Sequence, residues 1–136
     1  TGEARVLVDM RTVEKTRAAL GGTYPAAAFY METAYVESHK PLVQKLANAF
    51  VKTLRYIHDH SAAEITAKLP AGFYAADKEA YIKALADGKA MFTPDGVMPQ
   101  GGPETVLAVL QAKSSIKGQK VDLSKTYTTE FVKNVK

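Results

Sequence analysis

Apolar residues recur through residues 41–60, PLVQKLANAFVKTLRYIHDH, at Leu42, Val43, Leu46, Ala47, Phe50, Val51, Leu54 and Ile57. This spacing draws one face of a helix at 3.6 residues per turn. Gln44, Lys45, Asn48, Lys52 and Arg55 fall on the opposite side. No other segment carries so long an apolar stripe, so the pattern predicts a helix of about five turns that must bury one face. Pro41 suits its first turn, where a missing N–H costs nothing, and Ser38 stands nearby as a candidate cap.

Shorter patterns surround it. Residues 4–9, ARVLVD, form an apolar run with β-branched members and read as a strand. Residues 12–20 suit a short helix or an irregular loop, closed by Gly21-Gly22. Residues 24–31, YPAAAFYM, have helix-favouring alanines but an extended start forced by Tyr24-Pro25, and read as a second strand. Residues 32–38 make a helical turn or connector. Ser61 and Glu64 match the capping box of a helix running to Leu69, which Pro70 and Gly72 close. Asp77 caps the next, with Tyr81, Ile82 and Leu85 inward and Gly88 as its stop. After the Pro- and Gly-rich loop at 92–102, Pro103 opens a helix burying Val106, Leu107, Val109 and Leu110. A last helix over 128–135 buries Phe131, Val132 and Val135.

The reading is therefore α/β: two early strands, then four or five helices. Two strands alone make no stable sheet and leave exposed edges. The pattern thus calls for partner strands from an absent N-terminal part of the product or from a second copy. The opening TGEARVLVDM has neither an initiator Met nor the charged and apolar regions of a signal peptide. The expectation is a chain that starts inside a longer product.

Composition narrows the class. The 136 residues suffice to bury a real core, and 46% hydrophobic with 24% charged residues is ordinary for a globular domain. No window of about 18 consecutive apolar residues occurs, which excludes a membrane-spanning helix. With no cysteine, disulfides, thiolate nucleophiles and Cys-based metal sites are impossible. The net charge is +4, but the lysines are scattered. Lys113, Lys117 and Lys120 are the nearest approach to a cluster, so a solvated basic surface is expected, not a nucleic-acid stripe.

Candidate chemistry is sparse. His39, His58 and His60 lack metal-ligand spacing: on a helix His58 and His60 point about 200° apart. Asp9, Glu14, Glu32 and Glu37 are acid–base candidates by position alone. Gly21-Gly22 and Gly101-Gly102 fit neither a P-loop nor a dinucleotide fingerprint, though the second pair leads into a helix N-terminus able to hold an anion. The most informative stretch is Asp9-Met10-Arg11-Thr12, which sets an Arg and a Thr just past a predicted strand. Loops at strand ends commonly bind ligands, and Arg offers a planar fork for sulfonate, carboxylate or phosphate. Tyr24, after the Gly-Gly approach, adds an aromatic wall or a hydroxyl.

The order ARVLVDMRT, GGTYPAAAFYM, PLVQKLANAFVKTLRYI, FTPDGVMP, VDLSKTYTTEFV resembles the C-terminal half of periplasmic solute-binding proteins of ABC importers. The similar group is that of nitrate, taurine and aliphatic sulfonates, which shares its fold with pyrimidine-precursor synthases. The resemblance implies part of a type II periplasmic binding protein, with residues 1–38 supplying hinge-proximal strands and a connector. Residues 39–136 then supply a helical part packing on a lobe. It implies a periplasmic, non-enzymatic protein that needs no cofactor and no metal. A small, anionic solute is captured between two lobes, and lobe closure directs delivery to an ABC permease in the inner membrane. Ligand-binding residues in this picture are Arg11, Thr12, Thr23 and Tyr24. The group often has Asn-Pro before the long helix, where this chain has Lys40-Pro41. Two alternatives stand beside it: a fragment of a pyrimidine-precursor enzyme, whose cysteine-rich motif is absent here, and a stand-alone helical interaction domain.

Overall fold

The computed structural model describes residues 5–113 and 116–135, with the side chain of Lys113 left out. Among the described residues seven α-helices follow one another: α1 Val13–Leu20, α2 Thr33–Ser38, α3 Lys40–Asp59, α4 Ala62–Lys68, α5 Lys78–Gly88, α6 Gly102–Lys113 and α7 Glu130–Lys133. Single 3-10 turns sit at Ala71–Phe73, Lys89–Met91 and Leu123–Lys125. Contacts gather into two compact units. One holds residues 5–30 and 98–129, the other 31–97 and 130–135.

The α/β expectation is overturned: among the described residues there is no strand, and the fold is all-helical. Residues 5–9 and 24–31, both expected as strands, run without regular structure, and Ala4 lies outside the described residues. The physical reason is that a β-run becomes a strand only through a ladder with a neighbour. Neither stretch has one here, and their large apolar side chains stay exposed, Leu7 at 81% and Tyr30 at 89%.

The first unit is organised by α1, α6 and the loops beside them. Thr12 caps α1, its hydroxyl accepting from Lys15 N–H, and Gly21 ends it with φ 79°, a left-handed conformation glycine adopts without strain. Gly22 lies hard against Thr105 of α6, and Gly102 against Pro25. These two approaches bring the loop after α1 onto the start of α6.

In the second unit α3 packs on α7 and α4, and α4 on α5. Val43, Val51, Ala62, Ile65 and Phe131 are its buried apolar residues, with Val51 only 1% exposed. The expected face of α3 is rotated slightly. Leu42 and Phe50 remain exposed. Gln44, expected outward, turns its amide inward to donate to the Phe131 carbonyl at 2.9 Å and to Asn48 at 2.9 Å. This bond ties α7 to α3. The caps expected from sequence are present: the Ser61–Glu64 capping box is complete, and the Asp77 carboxylate accepts from Ala80 N–H at 2.9 Å.

Two helices differ in extent. The C-terminal one covers only Glu130–Lys133, and Gly88 is the last residue of α5 before a 3-10 turn that carries the chain on. Leu110, expected to be buried on α6, is exposed.

Candidate functional site

The polar centre of the first unit is built on one carboxylate. Asp9 precedes α1, and Arg11 folds back on it: Nε donates to Oδ1 at 3.0 Å and Nη2 to Oδ2 at 2.9 Å. The Arg11 backbone N–H donates to Oδ1 at 3.0 Å, closing a local turn. Lys15, in the first turn of α1, brings Nζ to Oδ2 at 2.7 Å. Two cations and a backbone donor thus converge on one group. The Arg11 guanidinium foremost, then the Lys15 ammonium, holds the Asp9 carboxyl far below the usual carboxylate range. The Thr16 hydroxyl donates to the Met10 carbonyl at 3.0 Å and fixes this loop on the helix.

Beside the cluster lies an open depression of about 380 Å³, lined by Val8, Asp9, Lys15, Ala18 and Ala19. Ala18 and Ala19 contribute small apolar side chains to the lining. The Asp9 side chain is 20% exposed, whereas Arg11 and Lys15 are 61% and 53% exposed and face water.

The four residues expected from sequence to bind ligand fall into two pairs. Arg11 and Thr12 flank the start of α1, and Thr12 spends its oxygen as the cap. Thr23 and Tyr24 follow the helix's far end, about 12 Å along an eight-residue helix. There the Thr23 hydroxyl accepts from Arg17 Nε at 3.2 Å, and Tyr24 is half-buried. Sequence reasoning missed Lys15, and placed Asp9 only as an acid–base candidate. The available signal was position: three residues past a Thr cap, a Lys sits in the first turn, close to whatever precedes the helix.

The remaining candidates have structural partners. Glu14 lies in the first turn of α1, its carboxyl lowered by its own backbone N–H and then by Thr12. Glu32 precedes α2, and Glu37 pairs with Lys40 Nζ at 3.0 Å. His39 and His60 stack on Tyr35 and Tyr56, ring centroids 4.2 and 3.7 Å apart, each with Nδ1 near the carbonyl of its tyrosine. His58 is exposed beside Asp59. Among the described residues no group of three or more His, Asp or Glu could hold a metal ion. No helix among them is long and apolar enough to cross a membrane.

A second concavity of the first unit is apolar. It measures about 290 Å³ and is lined by Val106, Leu107 and Leu110 of α6 together with Val121, Leu123 and Tyr127.

No family profile matches the chain, and no curated protein sequence does. A solved structure from Bordetella bronchiseptica RB50 is similar over 95% of this chain, at 32% identity and a TM-score of 0.89. Its description states no function. This chain spans 41% of the length of that protein. These findings correct the resemblance to the nitrate, taurine and sulfonate solute-binding proteins. The similar structure carries no such assignment, and the early strands on which the resemblance rested are absent among the described residues.

Proposed function

We propose that the chain is part of a longer protein that captures a small anionic solute without making or breaking a bond in it. The observation that carries this reading is the convergence of Arg11 and Lys15 on a single carboxylate at the rim of an open depression. An Arg fork reinforced by an ammonium is the arrangement that recognises planar or tetrahedral oxoanions, because two parallel charge-assisted bonds fix orientation as well as charge. Both cationic side chains are more than half exposed. Because the similar Bordetella protein is more than twice as long, the activity belongs in this reading to the longer protein. Neither a permease nor a periplasmic location is needed for it.

The test is a thermal-shift screen of sulfonates, nitrate, aromatic acids and pyrimidines at constant ionic strength. The expected outcome is that one anion class raises the melting temperature by mass action, equivalent to about 2.7 kcal/mol at a hundredfold excess over Kd. Arg11→Gln should abolish the shift. A screen in which no anion exceeds chloride defeats the reading.

A helical interaction domain is the second reading. It is favoured by the apolar side chains that the second unit leaves exposed, Phe73, Met91 and Phe92 among them. It predicts concentration-dependent association with no response to anions.

A further inference from the structure

The site proposed for an anion already contains one. We infer that Asp9 is an internal occupant of an oxoanion seat formed by Arg11 and Lys15, and that a solute carboxylate or sulfonate binds by displacing it. This rests on the anion-capture reading and adds what the seat accepts and what opposes its filling.

The geometry defines the ligand class. Arg11 presents Nε and Nη2 side by side, and Asp9 uses one oxygen on each, at 3.0 and 2.9 Å. The second oxygen also takes Lys15 Nζ at 2.7 Å. A group fitting the same three donors must offer two oxygens on one small centre and a negative charge. Carboxylates and sulfonates do so, whereas chloride offers one centre and cannot bridge the fork. Asp9 and Lys15 both line the open depression, so a solute group in place of the Asp9 carboxylate has its organic portion over Val8, Ala18 and Ala19. That floor is apolar, so the seat suits an organic anion with a short apolar body better than an inorganic one.

Asp9 competes well because it is tethered two residues from Arg11, giving it an effective concentration in the millimolar range or above. Apparent affinity is intrinsic affinity reduced by the fraction of chains in which the seat is open. Removing the carboxylate's charge therefore strengthens solute binding. Asn is the suitable replacement, because its Oδ1 still accepts the Arg11 backbone N–H that closes the turn.

The experiment titrates acetate, methanesulfonate and chloride into the longer protein that contains this chain, as wild type, Asp9→Asn and Arg11→Gln. Calorimetry and the Arg11 Nε–H resonance report binding, and circular dichroism confirms helix content. Asp9→Asn should bind acetate and methanesulfonate on the order of tenfold more tightly than wild type. Chloride should not bind, and Arg11→Gln should bind none of the three. Should Asp9→Asn lose helix content, Asp9→Ser keeps an acceptor at the turn and carries the same expectation. Equal affinities in wild type and the Asp9 variant overturn the displacement while leaving anion capture standing. Weaker binding by the variant also overturns it, making Asp9 a positioning residue for the two cations. Binding by neither protein overturns the displacement and the capture reading together.

Discussion

Gly22 has no room for a side chain. A Cβ there would stand 2.1 Å from the Thr105 hydroxyl, and that hydroxyl is fixed by its bond to the Gly101 carbonyl at 2.9 Å. Thr105 is itself buried, 9% exposed. Gly22→Ala should therefore destabilise the first unit by about 1–3 kcal/mol, seen as a lower urea midpoint. Adding Thr105→Ala removes the obstructing atoms and should restore most of the loss. If the double variant is no better than the single one, the contact is not the reason for glycine at 22. Sequence reading identified Gly21-Gly22 as a break, which Gly21 performs through its positive φ. It had no means of seeing that Gly22 answers to a residue 83 positions away, because close approach is a property of packed surfaces.

At the scale of elements, caps were the most legible feature, since a cap is a bond between residues two or three apart. Ser61 Oγ accepts from Glu64 N–H at 3.2 Å, and Glu64 Oε2 accepts from Ser61 N–H at 2.8 Å and from its hydroxyl at 2.7 Å. Ser61→Ala should cost about 1 kcal/mol, measured by urea denaturation. The Ser61 hydroxyl, then its backbone N–H, holds the Glu64 carboxyl below its ordinary range. A group depressed in the folded state stabilises fully above its unfolded pKa, about 4.3 for Glu, and loses that contribution as pH falls through the lower folded value. Asp9, Glu14 and Asp122 are depressed in the same direction. Stability should therefore fall as pH drops from about 5 towards 2. Glu64→Gln should be less stable than wild type at pH 7 and show a shallower acid dependence across that window. A slope unchanged by the substitution would show that the capping box contributes nothing to it. The limits of local reading appear on α3. Its period was plain, but the turning of Gln44 inward depends on α7, whose Phe131 carbonyl accepts from its amide.

At the scale of the whole molecule, the chain passes from one compact unit to the other after Tyr30, returns after Val97 and passes over again after Thr129. Each unit carries apolar side chains that it does not bury, and in the first they concentrate at Val6, Leu7 and Val8 and again at Tyr30. Such a surface favours association. Val6→Ser with Leu7→Ser should change the melting free energy by no more than about 0.5 kcal/mol for each substitution, because neither side chain is packed. The same pair should lower self-association measured by light scattering at high concentration. A large loss of stability instead would show that these side chains are packed in solution.

The sequence alone determined the longer helices, because period, capping and breaking act over one or two turns and every residue involved is nearby in the chain. The long helix, the capping box at Ser61, the Asp77 cap and the opening of α6 near Pro103 were all legible in that way. Tertiary structure alone decided three things. It left 5–9 and 24–31 without a ladder, because β-propensity is realised only against a partner and none is available among the described residues. It separated Thr23 and Tyr24 from Arg11 by placing a helix between them. It also brought Lys15 onto Asp9, since the direction in which a loop enters a helix is set in three dimensions and leaves no periodic mark on the sequence.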